Sequence, residues 1–119
     1  MLKKIFSIFL IFNLITVSTA QAASTTETTF VDSFSVSTQE LIPGGITFNN
    51  DGTKMFVTGY HLGDDVKEYT LTTGFDVSTA TFVDSLDVSG QDDSPGSVQF
   101  NNDGTKMFIT GNENDAVHE

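Results

Sequence analysis

An all-β chain built from repeated antiparallel sheets is predicted by three observations. A nine-residue phrase, Phe48-Asn49-Asn50-Asp51-Gly52-Thr53-Lys54-Met55-Phe56, returns letter for letter as Phe100-Asn101-Asn102-Asp103-Gly104-Thr105-Lys106-Met107-Phe108, a period of 52. The same spacing carries Phe30-Val31-Asp32-Ser33 onto Phe82-Val83-Asp84-Ser85. Around these copies, short β-favouring runs alternate with Gly, Pro, Asn and Asp turns, and no segment holds a helical period. A fixed period near fifty residues marks an architecture in which each unit is one supersecondary block.

The N-terminus reads as an export signal. Lys3 and Lys4 precede an almost unbroken apolar stretch, Ile5 to Val17, and Ala20-Gln21-Ala22 supplies a small-x-small cleavage site. The stretch is shorter than the ~20 apolar residues needed to span a bilayer. Residues 1–22 are therefore expected to leave, which excludes membrane insertion of the product and places it outside the cytoplasm: secreted, periplasmic or on the cell surface. Residues 23–28 are small and polar, and form a flexible lead-in.

Each later element follows from local chemistry. Phe30, Val31, Phe34 and Val36 favour an outer strand over 29–36. Pro43-Gly44-Gly45 is a turn signal ahead of a strand at about 45–48. Asn49-Asn50-Asp51-Gly52 closes a hairpin, with Asp-Gly supplying positive-φ positions, and the strand returns over 54–58. Strands at 66–71 and 80–86, separated by Thr72-Thr73-Gly74, complete one unit at about 45–86. A second begins at about 97 and runs to 119, where Gly111 to Glu119 align with Gly59 to Glu68 after one deletion. The second copy breaks off inside its unit, so the sequence reads as a fragment of a longer repeat protein.

Met55-Phe56-Val57 and Met107-Phe108-Ile109 are consecutive apolar residues, so each strand points apolar groups to both faces. Such a strand needs cover on both sides. A ring of four-stranded sheets stacked face to face provides it, which identifies the domain over 29–119 as part of a β-propeller with WD40-like blades. With blade faces and strand edges lacking neighbours, the fragment is expected to self-associate or fold poorly alone.

Asp51-Gly52-Thr53-Lys54-Met55-Phe56-Val57-Thr58-Gly59, and again Asp103 to Gly111, resembles the inner hairpin of the YVTN family of β-propeller repeats. Phe56 and Phe108 stand where that family usually has Tyr, and Gly59 and Gly111 where Asn often closes the motif. The resemblance implies blade architecture for nearly the whole exported chain. It is unspecific for activity, because related propellers include lactone hydrolases, quinoprotein dehydrogenases, surface-layer proteins and binding scaffolds.

Charge narrows the partners. After export Lys54, Lys67 and Lys106 remain against sixteen acidic residues, a net of −13, and the chain has no arginine. Such a surface repels phosphate backbones, so nucleic acid is excluded as a partner. Absence of cysteine removes disulfides, thiolate metal sites and cysteine nucleophiles together.

Asn50, Asp51, Gly52, Asn102, Asp103 and Gly104 are assigned to hairpin structure. Counting twelve from Asn49 reaches Tyr60, where a calcium loop of the helix-loop-helix type needs Glu. Asp64, Asp65, Glu113 and Asp115 are the weak metal candidates, with Ca²⁺ as the ion, although no cofactor is expected. Gln91-Asp92-Asp93-Ser94 takes the place of Gln39-Glu40-Leu41-Ile42, so acidity there reads as not shared by the units. His61 and His118 do not recur at one repeat position, since His118 aligns with Lys67, and neither is assigned catalysis. Phe75 and the other phenylalanines are expected to pack between blades. The expected role is a non-enzymatic binding or scaffold module for a protein, glycan or small molecule. A propeller enzyme of lactone-hydrolase or quinoprotein-dehydrogenase type, and a Ca²⁺-stabilised surface protein, are the alternatives.

Overall fold

Two antiparallel sheets follow one another along the chain and differ by a shift of one repeat. The computed structural model describes residues 29–119; the expected leader and lead-in lie outside them. The first sheet is a meander of β1 (Pro43–Phe48), β2 (Lys54–Gly59), β3 (Asp65–Leu71) and β4 (Ala80–Asp87), in that order. The second contains β5 (Pro95–Phe100), β6 (Met107–Gly111) and β7 (Val117–His118). Both belong to one compact unit, Val31–Glu119.

The register repeats as faithfully as the letters. Pro43 opposes Gly59 and Phe48 opposes Met55; Pro95 opposes Gly111 and Phe100 opposes Met107. Both hairpins carry a bulge at the same place, between Pro43 and Gly45 and between Pro95 and Ser97. The pairing of Ile109 with His118 repeats that of Val57 with Lys67. His118 thus holds the place of Lys67, as the aligned sequences indicate.

Each polar letter of the repeated phrase has a bond to make. In the first turn Gly52 N–H donates to the Asn49 carbonyl at 3.1 Å and Gly52 sits at φ 71°. Asp51 Oδ1 accepts from Thr53 N at 3.0 Å and Thr53 Oγ1 at 2.6 Å, and Asn49 Oδ1 accepts from Lys54 N at 2.9 Å. Asp103, Thr105, Asn101 and Lys106 make the same bonds in the second turn. One expectation needs correcting. Only the glycine adopts positive φ, because Asp51 and Asp103 act through their side chains as turn caps.

Consecutive apolar residues do face both ways. Phe56 and Val66 on one face of the first sheet meet Val98, Phe100, Met107 and Ile109 of the second, with Phe56 and Phe100 ring centroids 4.5 Å apart. Burying each aliphatic side chain there contributes about 1.5–3 kcal/mol. The opposite face carries Met55, Val57, Tyr69 and Leu71, covered in part by Phe34 and Val36. Equivalent hairpins also touch directly, since Asn50 Nδ2 donates to the Asn102 carbonyl.

Residues 29–36 do not form the expected strand: they make no ladder with any strand among the described residues. Side chains dock them instead. Val36 packs against the first sheet as Val88 packs against the second, and both carbonyls accept from the N–H groups three and four residues on. Phe75 departs from expectation too. It is 60% exposed, sits at φ 62° in the β3–β4 connection and lies against Phe48 of its own sheet, ring centroids 5.6 Å apart, rather than between sheets.

Candidate functional site

Where β2 turns towards β3, a carboxylate is buried in each unit. Glu40 and Asp92 stand one period apart, and both are almost wholly buried. Glu40 Oε1 accepts from Ile42 N at 2.7 Å and His61 N at 3.3 Å, while Oε2 accepts from Lys67 Nζ at 3.2 Å. Asp92 Oδ1 accepts from Ser94 N at 2.8 Å and Glu113 N at 3.4 Å, and Oδ2 from Asn114 N at 3.1 Å. Each acid therefore ties the loop entering the inner strand to the loop leaving the second. Acidity at this position is common to both units, contrary to the sequence reading. The 52-residue period carries the signal, since it sets Glu40 on Asp92 between the shared Gln39/Gln91 and Pro43/Pro95, although Leu41-Ile42 and Asp93-Ser94 differ around it.

The basic residues beside them differ between the two units. Lys67 is 2% exposed and contacts both Glu40 and Asp65. In the second unit His118 replaces Lys67, and Ala116 takes the place of Asp65. Lys67 is paired with two carboxylates, whereas the buried His118 Nε2 has no hydrogen-bond partner among the described residues. Burial pushes the Glu40 carboxyl up, but Ile42 N–H, the Lys67 ammonium and His61 N–H together bring it below its ordinary value. Burial likewise raises Asp92, and the Ser94, Asn114 and Glu113 N–H groups with His118 outweigh it, leaving a net lowering. Tyr69, fully buried nearby, is pushed up by burial and then by the charges of Glu40 and Asp65, so its phenol stays neutral.

This frame holds a variable rim. Around Glu40, Leu41, Ile42, Tyr60 and Leu62 are exposed, the backbones of Ile42 and His61 being drawn together by one carboxylate oxygen. The corresponding rim of the second unit is Asp93, Asn112, Glu113, Asn114 and Asp115. An apolar, aromatic edge thus belongs to one sheet and an acidic, amide-rich edge to the other.

The metal candidates are not brought together. Asp65 is engaged by Lys67, the Asp64 carbonyl accepts from Val88 N at 2.9 Å, and Glu113 contributes its backbone N–H to Asp92. Asp115 occupies a positive-φ turn at 48°. Among the described residues no three His, Cys, Asp or Glu side chains gather closely enough to hold a metal ion. The Asn50, Asp51, Asn102 and Asp103 turns line a cleft of ≈ 520 Å³ together with Phe48, Phe56 and Phe100. The Asp51 and Asp103 carboxylates there are engaged in their own turns. No known protein family, curated protein or solved structure matches the chain.

Proposed function

We propose that the chain is part of an exported β-propeller of YVTN type that acts as a binding or scaffold module, its rim loops meeting the partner. The carrying observation is the use made of the buried ionisable groups. Glu40, Asp65 and Lys67 form one internal network, and Asp92 is saturated by three backbone N–H groups. Such groups hold loops in place. Catalysis would require a base and nucleophile turned towards a substrate.

On this reading the repeated hairpins are the frame and the rim is the variable part, the arrangement expected of a recognition surface on a rigid scaffold. Tyr60 and Leu62 are its anchors, since exposed aromatic and aliphatic residues on held loops dominate binding energy. Arrays of glycans and of peptides, probed with the chain and with Tyr60→Ala/Leu62→Ala, test it. The expected result is a probe bound by the parent and weakened about tenfold or more in the variant. Turnover of a simple lactone such as dihydrocoumarin above the buffer rate would overturn the reading in favour of a hydrolase.

A further inference from the structure

The cleft between the two repeated turns is separate from the rim. It lies at the turn between β1 and β2 and the turn between β5 and β6, whereas Tyr60 and Leu62 stand beyond the far end of β2. Both walls are complete hairpins, paired from Phe48–Met55 to Pro43–Gly59 and from Phe100–Met107 to Pro95–Gly111. The Phe56–Phe100 contact and the bond from Asn50 Nδ2 to the Asn102 carbonyl join them directly. The cleft therefore belongs to a pair of consecutive units and to neither alone. Its ≈ 520 Å³ falls within the range of small-molecule sites, about 300–1,000 Å³.

The polar side chains that line it keep unused hydrogen-bonding capacity. Asp51 Oδ1 and Asp103 Oδ1 each accept from a threonine N–H and hydroxyl of their own turn, while neither Oδ2 has a partner among the described residues. Gln99 Oε1 accepts from Thr47 Oγ1 at 3.5 Å, and the Gln99 amide N–H groups have no acceptor among the described residues. Asn102 is bonded there through its carbonyl alone, so its exposed carboxamide makes no hydrogen bond among the described residues. Beside these groups Phe48, Phe56 and Phe100 are only half-buried.

We propose that this cleft binds a neutral saccharide, held by the Asp51, Gln99, Asn102 and Asp103 side chains with its C–H face on the phenylalanines. Carboxamides and carboxylates match adjacent hydroxyls, which both donate and accept. Aromatic faces are negative and take polarised C–H groups. A sugar ring presents both, hydroxyls around its edge and C–H groups on its faces. Charge then selects among sugars. Lys54, the cation of the lining, is paired with Glu68 at 2.6 Å. The Thr53 and Thr105 hydroxyls and N–H groups hold the Asp51 and Asp103 carboxyls below their ordinary values, so both are charged at neutral pH. An anionic sugar is therefore repelled. The site goes beyond the rim reading and does not depend on it.

The test uses the full chain secreted from an expression host. Lactose, maltotriose, cellotriose and N,N′-diacetylchitobiose are titrated into it by calorimetry. At least one is expected to bind the parent, and to bind Gln99→Ala/Asn102→Ala about tenfold or more weakly. Both side chains are exposed, so the urea midpoint of this variant should match the parent's. Tyr60→Ala/Leu62→Ala should bind the sugar as the parent does; a loss there would move the sugar to the rim and overturn the proposal. A panel without a binder, sialyllactose bound more tightly than lactose, or spermidine taken up where no saccharide is, would overturn it as well. Peptide binding by the rim is read separately and bears on none of these outcomes.

Discussion

The Asp92 carboxylate occupies the space that a Cβ on Gly111 would need. Glu40 stands in the same relation to Gly59, and in both cases the added carbon would fall well under 3.0 Å from the acid. The glycine that ends each repeated hairpin is thus the partner of a buried carboxylate one strand away. A side chain there would expel the acid that ties the rim loops together.

Gly111→Ala is accordingly expected to destabilise the chain by about 2–3 kcal/mol, through overpacking and the loss of bonds to Asp92. Gly59→Ala should behave alike. Gly90→Ala is the control, since a Cβ there meets nothing within 4 Å. Urea unfolding midpoints at constant slope check all three.

The two hairpin glycines make an internal comparison. Gly52 and Gly104 share φ values of 71° and 69°, so alanine at either pays a left-handed strain of about 1–2 kcal/mol. Only Gly52 lies under the Phe75 ring, and nothing surrounds a Cβ on Gly104. Gly52→Ala should cost more than Gly104→Ala, and Phe75→Ala should narrow the gap. Thermal or urea unfolding of the three variants and the Gly52→Ala/Phe75→Ala pair reads this directly.

Lys67 is matched to two acids. Lys67→Met leaves Glu40 and Asp65 without their cation and should cost about 3–5 kcal/mol. Converting the first unit to the second's solution, Lys67→His with Asp65→Ala, should be less harmful than Lys67→His alone. A double-mutant cycle giving strict additivity would show that the two sites are not coupled as described.

Position in the repeat predicts different sensitivities at one register. Val98→Ala should destabilise by about 2 kcal/mol, because Val98 is sealed between the sheets. Ile46→Ala, at the same repeat position but half exposed, should cost clearly less. Urea unfolding midpoints of the two variants at constant slope read the difference.

Acid should unfold the chain through Glu40 and Asp92. Both carboxyls are held below their ordinary values, so the unfolded chain binds their protons first as pH falls. Their stabilisation is complete above the unfolded values of roughly 4 and is lost as pH drops through the lower folded ones. Glu40→Gln/Asp92→Asn should be less stable at neutral pH and show a flatter fall below roughly pH 4. Equal slopes for parent and variant would assign the acid sensitivity elsewhere.

The strands and hairpins were legible because their causes are local. Asn49, Asp51, Gly52 and Thr53 bond within their own turn, and Met55-Phe56-Val57 carries its two-faced burial in three adjacent letters. Period and alignment likewise set His118 on the Lys67 register, where the strand pairing holds it. What lay hidden depends on residues brought together across the sheet. Glu40 meets Lys67 and His61, and Asp92 meets Asn114, over sequence distances that leave no pattern. Segment 29–36 has the composition of a strand, but a strand exists only with a partner edge. The repeat, the turns and the two-faced strands are written in near neighbours along the chain. Which acids are buried and why two glycines are required follow only from the tertiary structure, because burial and pairing belong to the assembled chain.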